Sequence, residues 1–143
     1  MNAEILNQCA SGSFDGTMLF PEIVAALTRE GVEWYSANLL FRITTYYAAD
    51  GTHHQVPWPP AALPPVADAF EDGQVAAAIR ASQRHEVRYP EFLRHIAAAG
   101  AVYYTVHMKG KKALYFGRHG DFHIEPFPQA GPAPAATALT PRA

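Results

Sequence analysis

The sequence predicts an α+β domain. It reads as a tandem, pseudo-twofold repeat of a helix-loop-helix unit followed by an antiparallel β-meander, with the helices packed on one sheet face. Three observations predict this. Phe20 to Pro57 aligns without a gap onto Tyr89 to Pro126 at a constant offset of 69 residues, with eight identities in 38 positions. Those identities are Pro21/Pro90, Glu22/Glu91, Gly31/Gly100, Tyr35/Tyr104, Tyr46/Tyr115, Gly51/Gly120, His54/His123 and Pro57/Pro126. Half of them, the Pro-Glu pair and the two glycines, are residues that start a helix, end one or turn a hairpin. Apolar residues recur at helical spacing after each Pro-Glu pair, and aromatic and β-branched runs then alternate with turn dipeptides.

Each element follows from local chemistry. Glu4 to Ala10 is the leading helix of the first copy. Pro21-Glu22 opens its second helix, because proline needs no N–H in a first turn and a carboxylate there favours the helix dipole. Ile23, Val24, Ala26 and Leu27 form the apolar stripe, and Gly31 stands where a left-handed residue ends a helix. Val32 to Leu40 and Ile43 to Ala48 read as strands, with Asp50-Gly51 as a two-residue hairpin turn. In the second copy Gln74 to Arg84 is the leading helix. Pro90-Glu91 opens the next, with Phe92, Leu93, Ile96 and Ala97 on one face and Gly100 at its end. Val102 to Met108, Lys112 to Gly117 and Phe122 to Glu125 are the strands, turned at Lys109-Gly110 and His119-Gly120. Leu40-Phe41 replaces Lys109-Gly110 in the first copy, which predicts a different geometry for that turn. Gln55 to Val66, with prolines at 57, 59, 60, 64 and 65, reads as a stiff linker. The expected organisation is one domain over 1–128, built of repeats at 1–57 and 70–126 with a Pro-rich linker at 57–69. The Pro-, Ala- and Thr-rich 129–143 is expected to be a disordered tail.

The chain has 143 residues, 49% hydrophobic and 17% charged, which is the composition of a globular protein. No apolar run approaches the roughly 18 residues of a membrane span. Met1-Asn2-Ala3-Glu4 has no basic n-region, so no secretory signal is expected. A lone cysteine, Cys9, fits a reducing compartment, and the expected location is cytoplasmic. Residues 1–69 carry two basic and seven acidic side chains, a net −5, whereas 70–143 carry nine basic and six acidic, a net +3. Opposite charge on the two halves steers and orients packing or association.

The ordered motifs Phe-Pro-Glu (20–22), Gly-Val (31–32), Tyr-Pro-Glu-Phe-Leu-Arg (89–94), Ala-Gly (99–100) and Tyr-Phe-Gly-Arg-His-Gly (115–120) resemble the uncharacterised YdfO-like family. This is domain of unknown function 1398, found in bacteria and prophages, with some members labelled "phage envelope protein". The resemblance covers roughly residues 3–128. It implies a small α+β fold and supplies no catalytic residue.

No catalytic signature stands out in the residues themselves. Ser11, Ser13, Asp15, Gly16, Met18 and Glu22 fall on the spacing of a calcium loop, but position one lacks its carboxylate. Lys109 to Phe116 is a faint likeness to an RNA-binding strand whose ring positions hold Lys111 and Ala113. A nucleic-acid partner is therefore not expected, nor is a membrane, a cofactor or a metal. With two-residue loops, Tyr47 faces His54 and Phe116 faces His123 across their hairpins, and His107 faces Lys112. Adjacent rings in a strand point to opposite faces. One set builds the core, and the other makes an aromatic patch of Trp34, Tyr47, Tyr103 and Phe116, with His54 and His123 beside it.

A patch of this kind marks a partner surface or dimer interface. The leading expectation is a non-enzymatic binding module of prophage or accessory type that uses this face to dimerise or hold a protein. The alternative is a small-ligand pocket between the repeats, for a metabolite or nucleotide, with His54, His123 and Arg118 as polar contacts. A second alternative is a metal-dependent hydrolase, whose site would bring His54 and His123 together across the pseudo-twofold axis.

Overall fold

Six antiparallel strands form one sheet in the order β3-β2-β1-β4-β5-β6, and four helices lie on one of its faces. The computed structural model describes residues 1–60 and 63–127. The elements are α1 (Ala3–Asp15), α2 (Phe20–Arg29), β1 (Val32–Asn38), β2 (Ile43–Ala48), β3 (His53–Pro57), α3 (Asp72–Gln83), α4 (Tyr89–Ala98), β4 (Ala101–His107), β5 (Lys112–Gly117) and β6 (Phe122–Pro126). Each half runs outward from the sheet centre, so β1 and β4 meet in the middle and β3 and β6 are the edges. Ser36 stands opposite Thr105, and Trp34 opposite His107. The region expected to be the tail lies outside the described residues.

The helices start and stop for identifiable reasons. Asn2 accepts from the Glu4 and Ile5 amides at 2.9 and 3.3 Å, and this cap opens a helix that runs to Asp15, well past the expected Ala10. Glu22 Oε1 accepts from the Leu19 N–H at 2.8 Å, and Glu91 Oε1 accepts from the Arg88 N–H at 3.4 Å. Two otherwise orphaned donors are satisfied in this way. Gly31 and Gly100 follow with φ of 81° and 93°.

The described parts of the connection between the halves, 58–60 and 63–71, pack against the rest of the fold. Gln55–Pro57, expected in the linker, belong to β3, because the Pro57 and Pro126 positions end edge strands where no N–H is needed. Trp58 is buried, and its indole N–H donates to Thr44 Oγ1 at 2.7 Å. The Ala67 and Glu71 amides donate to the carbonyls of Ala97 and Ala99 at the end of α4. A Cβ on Gly100 would come within 2.2 Å of the Ala69 carbonyl oxygen, so the chain crosses there in van der Waals contact.

Two turn expectations need correction. The β1–β2 and β4–β5 turns share one geometry, with Arg42 N–H donating to the Asn38 carbonyl and Lys111 N–H to the His107 carbonyl. Their positive φ falls on Arg42 (57°) and Lys111 (52°), not on Gly110, so Leu40-Phe41 needs no special backbone. The β2–β3 and β5–β6 hairpins have three-residue loops, not two. In each the glycine N–H bonds three residues back (Gly51 to Ala48, Gly120 to Gly117), and the glycine itself is left-handed.

The core lies between the helices and the sheet face carrying Tyr35, Ala37, Tyr46, Tyr104, Val106, Ala113 and Tyr115, all buried. Phe92 of α4 meets Tyr104 and Tyr115 edge-on, and the Tyr89 and Tyr104 hydroxyls bond each other. Gly51 and Gly100 separate two effects. Gly51→Ala meets nothing within 4 Å and loses about 1–2 kcal/mol from its left-handed backbone alone. Gly100→Ala loses about 1–3 kcal/mol more, because the methyl overpacks the linker. Urea unfolding of both variants measures the difference.

Candidate functional site

Among the described residues no helix or loop packs on the face of the sheet away from the helices, and strand register decides what that face displays. Trp34 pairs with Tyr47 on one side and His107 on the other, Tyr47 with His53, and His107 with Lys112. These five form one row across the sheet. Trp34 stacks on Tyr47 at 4.0 Å and 12° and on His107 at 5.7 Å and 11°. A second row runs Phe122, Phe116, Tyr103, Asn38 and Ile43, with Tyr103 stacked on Phe116 at 4.8 Å. Gln55, Thr45, Ser36, Thr105, Leu114 and Ile124 lie between the rows.

The two ends of this face differ in chemistry. The second row adjoins the β1–β2 turn, where Leu40 and Phe41 are 49% and 75% exposed; in the row itself Phe122 is 59% exposed. The first row adjoins the β4–β5 turn, which carries Lys109 and Lys111 beside Lys112 and His107. The platform is therefore apolar at one end and cationic at the other. Side chains stand upright from a sheet, so the stacked rings turn their faces to each other and their edges to solvent. Such rings do not make a flat base-stacking platform of the kind that binds single-stranded nucleic acid. They present a firm apolar relief.

Trp34, Tyr47, Tyr103 and Phe116 share this face. His54 and His123 do not, which corrects the expected cross-strand pairs. The one-residue-longer hairpin loops place His54 opposite Tyr46 and His123 opposite Tyr115, and a shift of one residue moves a side chain to the other face. Both histidines face the helices. His54 Nε2 bonds Asn7 of α1 at 3.0 Å. His123 Nδ1 lies 2.7 Å from Asp72 of α3, and its Nε2 lies 3.2 Å from Glu125. They stand on the two edge strands, five strand spacings or about 24 Å apart, so they share neither a metal nor a ligand. Arg118, at the β5–β6 turn, donates to the Val66 carbonyl at 3.2 Å and fastens the linker. The pocket expected between the repeats is therefore not assembled from these residues.

Ser11, Ser13 and Asp15 belong to α1, and Asp15 accepts from Thr17, so the calcium-loop spacing is a helix and its end. Among the described residues no three His, Cys, Asp or Glu side chains gather as a metal site. Cys9 is buried, and burial raises its thiol pKa, opposite to an activated nucleophile. Sequence reasoning missed His53, Phe122, Ile124, Leu40 and Phe41 as members of the face. The available signal was the three-residue spacing from Ala48 to Gly51 and from Gly117 to Gly120, which sets the longer loop and hence the parity of the edge strands.

A protein-family model described as "Protein of unknown function (DUF1398)" matches residues 7–125. The chain belongs to that family. No curated protein matches it. Membership of DUF1398 fixes no activity, so the reading of function rests on the geometry. No helix among the described residues is long and apolar enough to cross a membrane.

The open face carries one group whose titration reports its surroundings. Burial, and then the nearby Lys112 charge, lower the His107 pKa below its ordinary 6.5. The folded state thus binds fewer protons than the unfolded chain. The ring's contribution makes folding less stable as pH falls from above 6.5 towards the folded midpoint. A histidine NMR titration is expected to place His107 below 6.5, and Trp34→Ala, which uncovers the ring, to move it back towards that value. A wild-type midpoint at or above 6.5 contradicts this.

Proposed function

We propose that this DUF1398 protein is a non-enzymatic interaction module, of the accessory or prophage type its sequence resemblance implies, whose open sheet face binds a second copy of the chain. The observation that carries the reading is the apolar end of that face. Phe122, Tyr103, Leu40 and Phe41 are exposed together there, beside Ile43 and Phe116, while the four helices cover the other side of the sheet. Clustered aromatic side chains of this kind serve as interface anchors.

Charge and size narrow the mode. The cationic end, with Lys109, Lys111 and Lys112, repels its own copy, so an isologous twofold contact centres on the apolar end. The sheet is about 24 Å across and about 17 Å along its strands, roughly half the ~800 Å² per partner of a standard interface. Association is therefore of the weak, concentration-dependent class.

Sedimentation velocity or light scattering over a concentration series tests this. The wild type is expected to pass from monomer to dimer with rising concentration. Phe41→Ser with Phe122→Ser is expected to remain monomeric, and Lys109→Glu to dimerise as the wild type does. A wild type that stays monomeric up to millimolar chain overturns self-association through this face.

A further inference from the structure

The two halves differ at one end of the seam between the leading helix and the edge strand. In the second half, α3 is tied to β6 by Arg80, which donates to Glu125 at 2.7 Å and to Gln83 at 3.3 Å, with Glu125 buried. The residues 69 positions earlier are Ser11, Val56 and Phe14. In the first half a cleft of about 530 Å³ lies between α1 and β3, with Ser11, Phe14, Asp15, Val56 and Trp58 in its walls. At the matching positions of the second half an ion pair bridges this seam, so the architecture does not demand a cleft there.

We propose that this cleft is a binding site for a small amphipathic amine, with a planar apolar body held by Phe14 and Trp58 and its ammonium group at Asp15. The volume falls in the range of small-molecule sites. The walls are pre-set. Trp58 is oriented by its indole bond to Thr44, and Phe14 packs against Trp58 at 5.8 Å and Tyr89 at 5.0 Å. A ligand therefore meets two rings already ordered, which lowers the entropic cost of binding.

Among the described residues that line the cleft, Asp15 carries the charge. Asp15 accepts from the Thr17 hydroxyl at 2.6 Å and the Thr17 N–H at 2.9 Å, bonds that favour the carboxylate form. Among the described residues no lysine or arginine forms an ion pair with it; the Arg88 guanidinium lies 3.9 Å from where a Cβ on Gly16, the next residue, would stand. The half containing the cleft is net acidic. An apolar body with a cation complements these walls, and an apolar body with an anion does not.

A ¹H–¹⁵N NMR titration of the full chain with phenethylamine, against phenylacetate as the charge-reversed probe, tests the assignment. Phenethylamine is expected to give saturable millimolar shifts at the Trp58 indole N–H and the amides of Ser11, Phe14 and Asp15. Phenylacetate is expected to bind more weakly, and Asp15→Asn to weaken the amine about two- to five-fold, as for an exposed ion pair. Ser11→Arg with Val56→Glu, which writes the second half's ion pair into the first, is expected to abolish the shifts. Ser11→Phe, a plug placed from an exposed helix position, is expected to do the same while the rest of the spectrum stays unchanged. Absence of saturable shifts, shifts confined to the open sheet face, an equal response to phenylacetate, or binding that survives Ser11→Phe overturns the proposal.

Discussion

The antiparallel pairing of β1 with β4 is the interaction on which the rest of the structure depends. It joins two three-stranded meanders that would each have an exposed inner edge and make too small a core alone. The resulting sheet is long enough for four helices on one face. It places Tyr35 against Val106 and Ala37 against Tyr104 at the centre of the buried side. It also sends β3 and β6 to the outside, where Pro57 and Pro126 blunt the edges against further strand addition.

The buried side is unusually phenolic. Tyr35, Tyr46, Tyr89, Tyr104 and Tyr115 are all buried, and desolvation holds each hydroxyl protonated. The Tyr89–Tyr104 bond ties α4 to β4. Among the described residues, Ser82 Oγ and Tyr115 OH are the buried side-chain polar atoms without a protein partner; a buried water satisfies such groups. A small polar space lined by Ser13, Tyr35, Thr44, Tyr46 and Tyr89, about 10 Å³, lies behind Phe14. That is about the volume one water needs. Polar atoms in this core fix the geometry of the rings around them, and the rings on the open face inherit that register.

The element order was legible in both halves because it rests on punctuation. Pro-Glu starts and Gly31 and Gly100 stops are demanded by backbone chemistry, and β2 and β5 were bounded correctly by their turns. The four rings Trp34, Tyr47, Tyr103 and Phe116 were grouped on one face by strand parity alone. Parity failed at His54 and His123, because it propagates through a hairpin only if the loop length is known, and dipeptide reasoning gave two residues where the left-handed glycine closes three. Proline content hid the end of β3, Gln55 to Pro57, since Pro57 at a strand end looks like linker. The cleft was invisible because it comes from what Ser11 and Val56 fail to fill, and only the packing of α1 against β3 shows that.

Native-state hydrogen exchange tests the central pairing most directly. If β1 and β4 hold the two halves in one sheet, the backbone amides of that ladder exchange slowest of all. Their exchange free energy then equals that of global unfolding, with amides of both halves released in a single step. Central-ladder amides that exchange as fast as those of β3 and β6, with the halves opening in separate steps, would contradict the account.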